Sequence, residues 1–340
     1  MTAISSGDTG SAPALAQLEP VLNAGGRRLI DLLVRTEGRL AELANGHGDG
    51  LSRHAGETLT AGGKRLRPIT VFLCSGDADG DDLVRAATAV ELVHMATLVH
   101  DDVLDRAMLR RGRATVFHAG GRPAATATGD FLFSRAFEEL VRTGSGEAVR
   151  TLSDASSALA SGELMQRADA WSDDVSAERY LERCELKTAR LFWASCRLGA
   201  LLEPGNGDGS KVKALAAFGS RIGIAFQIFD DVLDVSGPPE RTGKQRGADL
   251  LDGTITLPLI LARRRDDRLR DLDLRSEVTD AERAEEVCVR IADTGALADS
   301  REVALRYVAE AKQSLDGLEL TPQQRTALEL VADGVVERYA

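Results

Sequence analysis

Residues 98–105 read LVHDDVLD, and residues 227–234 read QIFDDVLD. The five letters DDVLD thus close two segments that are otherwise apolar, with HMATLV running into the first and GIAFQIF into the second. Carboxylates set in apolar text are costly to desolvate unless something pairs with them. Residues i and i+4 of a helix share a face, so Asp101 and Asp105 point the same way, about 6 Å apart along the axis. Asp102 lies about 100° around the helix. Asp230, Asp231 and Asp234 repeat the arrangement. Like charges at i,i+4 repel, and a hard divalent cation resolves the conflict. All-oxygen donors with few other ligands favour Mg²⁺, which keeps its waters and shares phosphate oxygens with a substrate. A solvated acidic face near a helix end is the competing reading, and the presence of two such sets in apolar surroundings weighs against it.

Outward from the two motifs, the periodicity is helical. Residues 27–43 place Leu29, Leu32, Leu33, Leu40 and Leu43 at helical spacings, and 83–105, 130–142, 149–169, 177–202 and 211–235 read the same way. Breakers separate them at 44–50, 75–82, 118–123, 143–146, 203–210 and 236–247. Beyond Pro258, helices are expected over 258–270, 279–293, 295–315 and 321–338. No sustained strand alternation occurs. One all-α domain over 17–340, preceded by a flexible tail at 1–16, is the economical reading. The repeated DDVLD has unmatched flanks and is read as two sites sharing one chemistry, not a duplication.

Composition narrows the function classes. The 340 residues carry 42 Lys+Arg against 53 Asp+Glu, a net charge of −11, the opposite of a nucleic-acid-binding face. Cys74, Cys184, Cys196 and Cys288 lie far apart with no CxxC pair, which speaks against a zinc site or disulfide framework and for a reducing cytoplasm. The start, MTAISSGDTGSAPALA, lacks the basic-then-apolar order of a secretory signal. No apolar run is expected to reach membrane-spanning length, so any membrane contact would be peripheral.

Cations that suit a diphosphate recur at intervals. GGKRLRP at 62–68 offers Lys64, Arg65 and Arg67 where a loop enters a helix, a place suited to anions. LRRG at 109–112 supplies Arg110 and Arg111, LKTA at 186–189 supplies Lys187, and TGKQRG at 242–247 supplies Lys244. Each alone reads as a surface cation, and their weight comes from combination with the aspartates. His94 reads equally as a core histidine or as a ligand-binding one.

In order, GGKRLRP, ELVHMATLVHDDVLD, RRG, GDFLFSRAF, GELMQ, KTA, GIAFQIFDDVLD and GKQRGADLLDGTITLP resemble the trans-prenyltransferases, the head-to-tail polyprenyl diphosphate synthases, over residues 62–258. The resemblance implies an isoprenoid-synthase helical bundle with a deep central cavity, a homodimer, and Mg²⁺ as cofactor. It implies condensation of isopentenyl diphosphate with an allylic diphosphate. Asp101, Asp105 and Asp230 would hold Mg²⁺, while Asp102, Asp231 and Asp234 would act through waters or neighbouring bonds. Arg110, Lys187 and Lys244 would clamp the allylic diphosphate, and Lys64, Arg67, His94 and Arg111 the isopentenyl one. Thr188 and Gln227 would turn oxygen dipoles towards an allylic cation.

The sequence departs from the family pattern at Ala114, where proline is frequent, and at Thr254, where lysine is frequent. Its end, VVERYA, lacks the basic tail of the short-chain farnesyl enzymes. Product length is expected to be set along the first motif's helix. There Val93, Ala96 and Thr97 carry no aromatic plug, which favours products of about six to ten isoprene units, i−4 and i−8 lying one and two turns from the motif. Geranylgeranyl diphosphate synthase is the alternative, followed by an inactive regulatory subunit. A class I terpene cyclase is disfavoured by the intact second aspartate motif and by Lys64 and Arg67.

Overall fold

Leu29, Leu32, Thr36, Leu40 and Leu43 recur every three or four residues, and all are buried along one stripe of helix α1 (Glu19–Ala44). The computed structural model describes residues 18–45, 49–60, 63–110, 112–205, 209–237 and 246–337. The tail expected at 1–16, Arg111 and Lys244 lie outside the described residues. Among the described residues the chain is all-α, as expected, apart from one antiparallel ribbon of two short strands, β1 (Leu109–Arg110) and β2 (Arg113–Ala114).

The chain divides into two compact units. The first takes the residues up to Val149, together with 198–205 and those from Glu319 onward. After α1 it contains α2 (Asp49–Thr60), α3 (Leu66–Leu73), α4 (Asp81–Leu104), the ribbon and α5 (Val116–Val141). Helix α4 is buried almost all round, from Leu83 to Asp102, and packs against α1, α3 and α5. Such a helix is the centre of its unit. Arg28 ties α1 to the turn after α3, with Nε 2.8 Å from the Ala78 carbonyl and Nη2 2.8 Å from Ser75 Oγ. Glu139 of α5 is fully buried and accepts from Arg39 Nη2 at 2.7 Å and from Arg85 Nη1 at 3.1 Å.

Two expectations change here. The breaker HAGGRP does not end a helix. Helix α5 runs through it with a bend at Gly121 (φ 72°) and with Pro123 inside. Gly121 takes the left-handed conformation without a Cβ penalty. Pro123 falls where the helix restarts, and a first-turn residue has no N–H acceptor to lose there. Helix α2 falls where none was expected, whereas α3 begins within GGKRLRP, where a loop was expected to enter a helix.

The second unit takes Arg150–Arg197 and residues from 209 to Leu318. Helix α6 (Gly146–Asp169) leads into it. Helix α7 (Ala177–Cys184) then passes through a π turn (Glu185–Ala189) into α8 (Arg190–Leu201). The long α9 (Gly209–Ser236) follows, then α10 (Ala248–Leu251), α11 (Leu257–Arg263), α12 (Asp267–Arg270), α13 (Leu274–Glu277), α14 (Ala281–Asp293) and α15 (Ala296–Gln313). The final helix, α16 (Pro322–Glu337), belongs to the first unit and packs on α1 and α3.

Helix α9 is long and apolar enough to cross a membrane by length and composition (mean hydropathy 1.3), against the expectation that no such run exists. Most of its apolar stretch is buried inside the protein, and α9 packs against the π turn and α14–α15. It is a core helix. A Cβ added at Gly223 would lie 2.4 Å from Ala189 Cα, and one at Gly219 would lie 2.5 Å from the Phe192 carbonyl oxygen. These two glycines, one turn apart, let α9 lie directly on the π turn and the start of α8.

Candidate active site

The first acidic set ends α4. The Asp105 N–H donates to the Asp101 carbonyl at 2.8 Å and the Ala107 N–H to the Asp102 carbonyl at 2.9 Å, closing the helix. Arg106 then takes a left-handed φ of 51° and the chain turns back into the ribbon, where Leu109 pairs with Ala114. Thr115 caps α5 by accepting from the His118 N–H at 3.0 Å, and its hydroxyl donates to the Ala107 carbonyl. This fold-back carries Arg110 over the helix end, with Nε 2.8 Å from Asp102 Oδ1. Asp101 is half-buried, Asp102 buried and Asp105 exposed. The three aspartates are therefore inequivalent. Asp102 holds an arginine, and Asp101 and Asp105 keep the exposure that a metal ligand needs.

Of the three cations in KRLR, one is spent on the scaffold. Arg65 sits at φ 48° ahead of α3. It donates through Nη1 to Glu91 Oε1 at 2.7 Å, through Nε to Glu37 Oε1 at 2.5 Å and through Nη2 to the Leu59 carbonyl at 3.0 Å. Lys64 and Arg67, on either side, keep partial exposure, as does His94, one turn beyond Glu91 on α4. Desolvation pulls the Arg67 guanidinium down to about 10, against the opposing field of Glu91. Glu91 is itself buried. It escaped the sequence reading because a glutamate inside an apolar helix gives no sign of the arginines it faces.

The second acidic set lies on α9. Asp230 and Asp234 are half-buried, and Asp231 is buried. Asp234 Oδ2 accepts the Asp249 N–H at 3.2 Å, and its carbonyl accepts the Gly247 N–H at 3.0 Å. Those bonds fold the residues that follow Lys244 in sequence back onto the end of α9. Asp231 faces inward. Its Oδ1 accepts from Gln227 Nε2 at 2.7 Å and its Oδ2 from the Tyr180 hydroxyl at 2.6 Å. Burial first, then the charges of Asp249 and Asp230, push its carboxyl above the ordinary range, against the hydrogen bonds from Tyr180 and Gln227. Gln227 Oε1 in turn accepts from the Thr188 hydroxyl at 2.7 Å. Thr188 and Gln227, each expected to turn an oxygen dipole towards an allylic cation, are hydrogen-bonded to one another. Tyr180 was not anticipated, because nothing in its local sequence marks a partner on α9.

Lys187 occupies the π turn, a helical irregularity that recurs at functional sites. Its ammonium donates to Glu163 Oε2 and, at 3.1 Å, to Gln166 Oε1, both on α6. Burial pushes the Glu163 carboxyl up, and the charges and hydrogen bonds of Lys187 and Arg167 more than reverse it, leaving it below the ordinary carboxylate range.

Val93 and Ala96 are completely buried on α4. Thr97 keeps partial exposure, with its hydroxyl bonded back to the His94 carbonyl at 2.8 Å.

Among the described residues, no three carboxylate, imidazole or thiolate groups converge on a common point that would cage a metal ion. What each acidic set offers is a pair of carboxylates that keep partial or full exposure, Asp101 with Asp105 and Asp230 with Asp234. That donor set fits a hard cation that keeps waters and shares a substrate's phosphate oxygens.

The polyprenyl synthetase family profile matches residues 49–292. The chain belongs to the polyprenyl synthetase family. It is a head-to-tail trans-prenyltransferase with the isoprenoid-synthase fold. It is 38% identical to heptaprenyl diphosphate synthase component 2 of Geobacillus stearothermophilus, over 85% of this chain and 91% of that one. It is also 38% identical to the geranylgeranyl diphosphate synthase of Methanosarcina mazei, over 82% and 86% respectively. A crystal structure of a Caulobacter crescentus polyprenyl synthase, complexed with calcium and isoprenyl diphosphate, superposes with a TM-score of 0.85 at 35% identity. That match covers 92% of this chain and 98% of the other.

Proposed function

We propose that this polyprenyl synthase condenses isopentenyl diphosphate with an allylic diphosphate in a Mg²⁺-dependent reaction, stopping at geranylgeranyl length. The observation that carries the chemistry is the inequality within each DDVLD. One aspartate of each is buried and anchored in the protein (Asp102 on Arg110, Asp231 on Tyr180 and Gln227), while the flanking pair keeps partial or full exposure.

In this reading Asp101, Asp105 and Asp230 would hold Mg²⁺, and Asp234 would act through waters or neighbouring bonds. The metal supplies charge neutralisation that makes diphosphate a competent leaving group. Arg110, Lys187 and Lys244 bind the allylic diphosphate, and Lys64, Arg67, His94 and Arg111 bind that of isopentenyl diphosphate. Arg110 and Lys187 enter this clamp from carboxylate partners, so each arrives as a preoriented cation. As the allylic C–O bond breaks, Thr188 and Gln227 present oxygen dipoles to the carbon that becomes cationic. The isopentenyl double bond attacks that carbon, and the proton lost from the new adduct passes to the departing diphosphate.

Product length turns on the floor of the chain channel. The expectation of six to ten units rested on Ala96 and Thr97 leaving that floor open. Val93 and Ala96 are packed to zero exposure, and only Thr97 keeps surface. The burial of Val93 and Ala96 supports the shorter product, the one named for the Methanosarcina relative. The Geobacillus relative's name supports the longer reading. Buried thiols at all four cysteines, none of them in a disulfide, support a cytoplasmic enzyme. A homodimer is carried over from the family.

The test is incubation of the purified chain with Mg²⁺, isopentenyl diphosphate and farnesyl diphosphate, with products sized by mass spectrometry. A single stop at geranylgeranyl supports the shorter product, and a ladder of six or more units supports the longer reading. Absence of product with every primer overturns this reading and supports the alternative of an inactive subunit of a heteromeric enzyme.

A further inference from the structure

Tyr180 has no part in the reaction as described, yet it is the largest fully buried side chain among the described residues. Its ring lies under the Arg183 guanidinium, 5.4 Å from the ring centroid, and its hydroxyl reaches Asp231 Oδ2 at 2.6 Å. The other oxygen of Asp231 takes the Gln227 amide N–H at 2.7 Å. With one N–H of its amide on the carboxylate, Gln227 turns Oε1 to Thr188, whose hydroxyl donates to it at 2.7 Å.

Every proton in this chain of bonds runs towards Asp231. The hydroxyl of Thr188 has one proton and donates it to Gln227, so only lone pairs remain for any group on its other side. A carboxylate at the end of such a chain polarises each link in the same sense. It also decides the amide's orientation, because a flipped Gln227 would set its carbonyl oxygen against Asp231 Oδ1.

We propose that Tyr180 is a positioning residue. By holding Asp231 it fixes Gln227 and Thr188 with their negative ends towards the allylic cation. The proposal rests on the reading of Thr188 and Gln227 given above. Without the phenol, Asp231 has one protein donor fewer to hold its plane, and both dipoles loosen with it. The step served is ionisation of the allylic substrate, and the diphosphate-binding cations are untouched.

The test is Tyr180→Phe, which keeps the ring and removes the donor, assayed at saturating Mg²⁺ beside the wild type and Asp231→Asn. The expected result is a fall in kcat on the order of tenfold, with KM for both diphosphates within about twofold. A larger share of allylic diphosphate should be lost to hydrolysis as prenyl alcohol. The double variant should be no worse than the more damaged single one, because both break the same chain. Should Tyr180→Phe not fold, Asp231→Asn alone must show the kcat-only loss. An unchanged kcat, a KM effect in its place, or a kcat loss that matches only the loss of folded protein in a thermal melt overturns the proposal. A wild-type enzyme that forms no carbon–carbon bond overturns the functional reading and the proposal with it, whereas an active wild type with an unimpaired Tyr180→Phe variant overturns the proposal alone.

Discussion

Arg110 Nε lies 2.8 Å from Asp102 Oδ1, joining the ribbon to the buried second aspartate of the first motif. The side chain of Asp102 is 6% exposed and that of Arg110 31%, so this is a half-sheltered pair on which the ribbon's position depends. Arg110→Ala is expected to cost about 1–3 kcal/mol in urea unfolding. It should also raise KM for the allylic diphosphate by about tenfold or more, since the clamp loses a preoriented cation. Loss of stability without a change in KM would confine Arg110 to a structural role.

Glu139 has no exposure and faces two arginines, Arg39 and Arg85. Replacing it with Gln removes the charge that compensates both, and breaking a buried ion pair costs about 3 kcal/mol. Because these residues lie outside the proposed site, kcat and KM of the folded fraction should match the wild type. Chemical denaturation alongside steady-state kinetics reads both quantities.

Glu163 carries a pH signature. Its carboxyl lies below the ordinary range because Lys187 and Arg167 outweigh its burial. A carboxylate whose folded pKa is depressed stabilises the protein above its unfolded value, about 4.3, and that contribution is lost as pH falls through the lower folded value. Glu163→Gln should therefore flatten the acid limb of the stability curve below about pH 5 and leave its slope at neutral pH unchanged. Unfolding free energies measured from pH 7 to pH 2 test this.

A methyl group at position 223 would meet the backbone of the π turn, 2.4 Å from Ala189 Cα. Backbone cannot swing aside as a flexible side chain does, so Gly223→Ala should push α9 off the π turn and lengthen the Thr188–Gln227 bond. Overpacking of this kind costs about 1–3 kcal/mol, and a loss of kcat beyond the lost stability is expected. Urea unfolding and kcat per folded molecule separate the two effects.

The amphipathic spacing of 27–43 and the apolar approaches to both DDVLD segments made the helical class and the carboxylate-bearing helices legible in the sequence. What remained hidden was partnership. Identical letters gave no hint that Asp102 would take an arginine eight residues on, while Asp231 would take a tyrosine 51 residues back. KRLR did not show that a left-handed backbone turns Arg65 to Glu37 and Glu91, between two half-exposed cations. HAGGRP looks like a helix end, because composition does not reveal that Gly121 and Pro123 fall at a bend where both are tolerated. The small side chain of Ala96 gave no sign that the residue would be fully buried.

The most direct measurement follows diphosphate release and carbon–carbon bond formation together. The enzyme is given allylic diphosphate alone, isopentenyl diphosphate alone, or both, with Mg²⁺ or with chelator. The account predicts stoichiometric diphosphate and a five-carbon-longer product only with both substrates and Mg²⁺, and neither from Asp101→Asn or Asp230→Asn. Release of diphosphate from the allylic substrate alone with formation of a cyclic hydrocarbon, or condensation that survives chelator or either substitution, would contradict it.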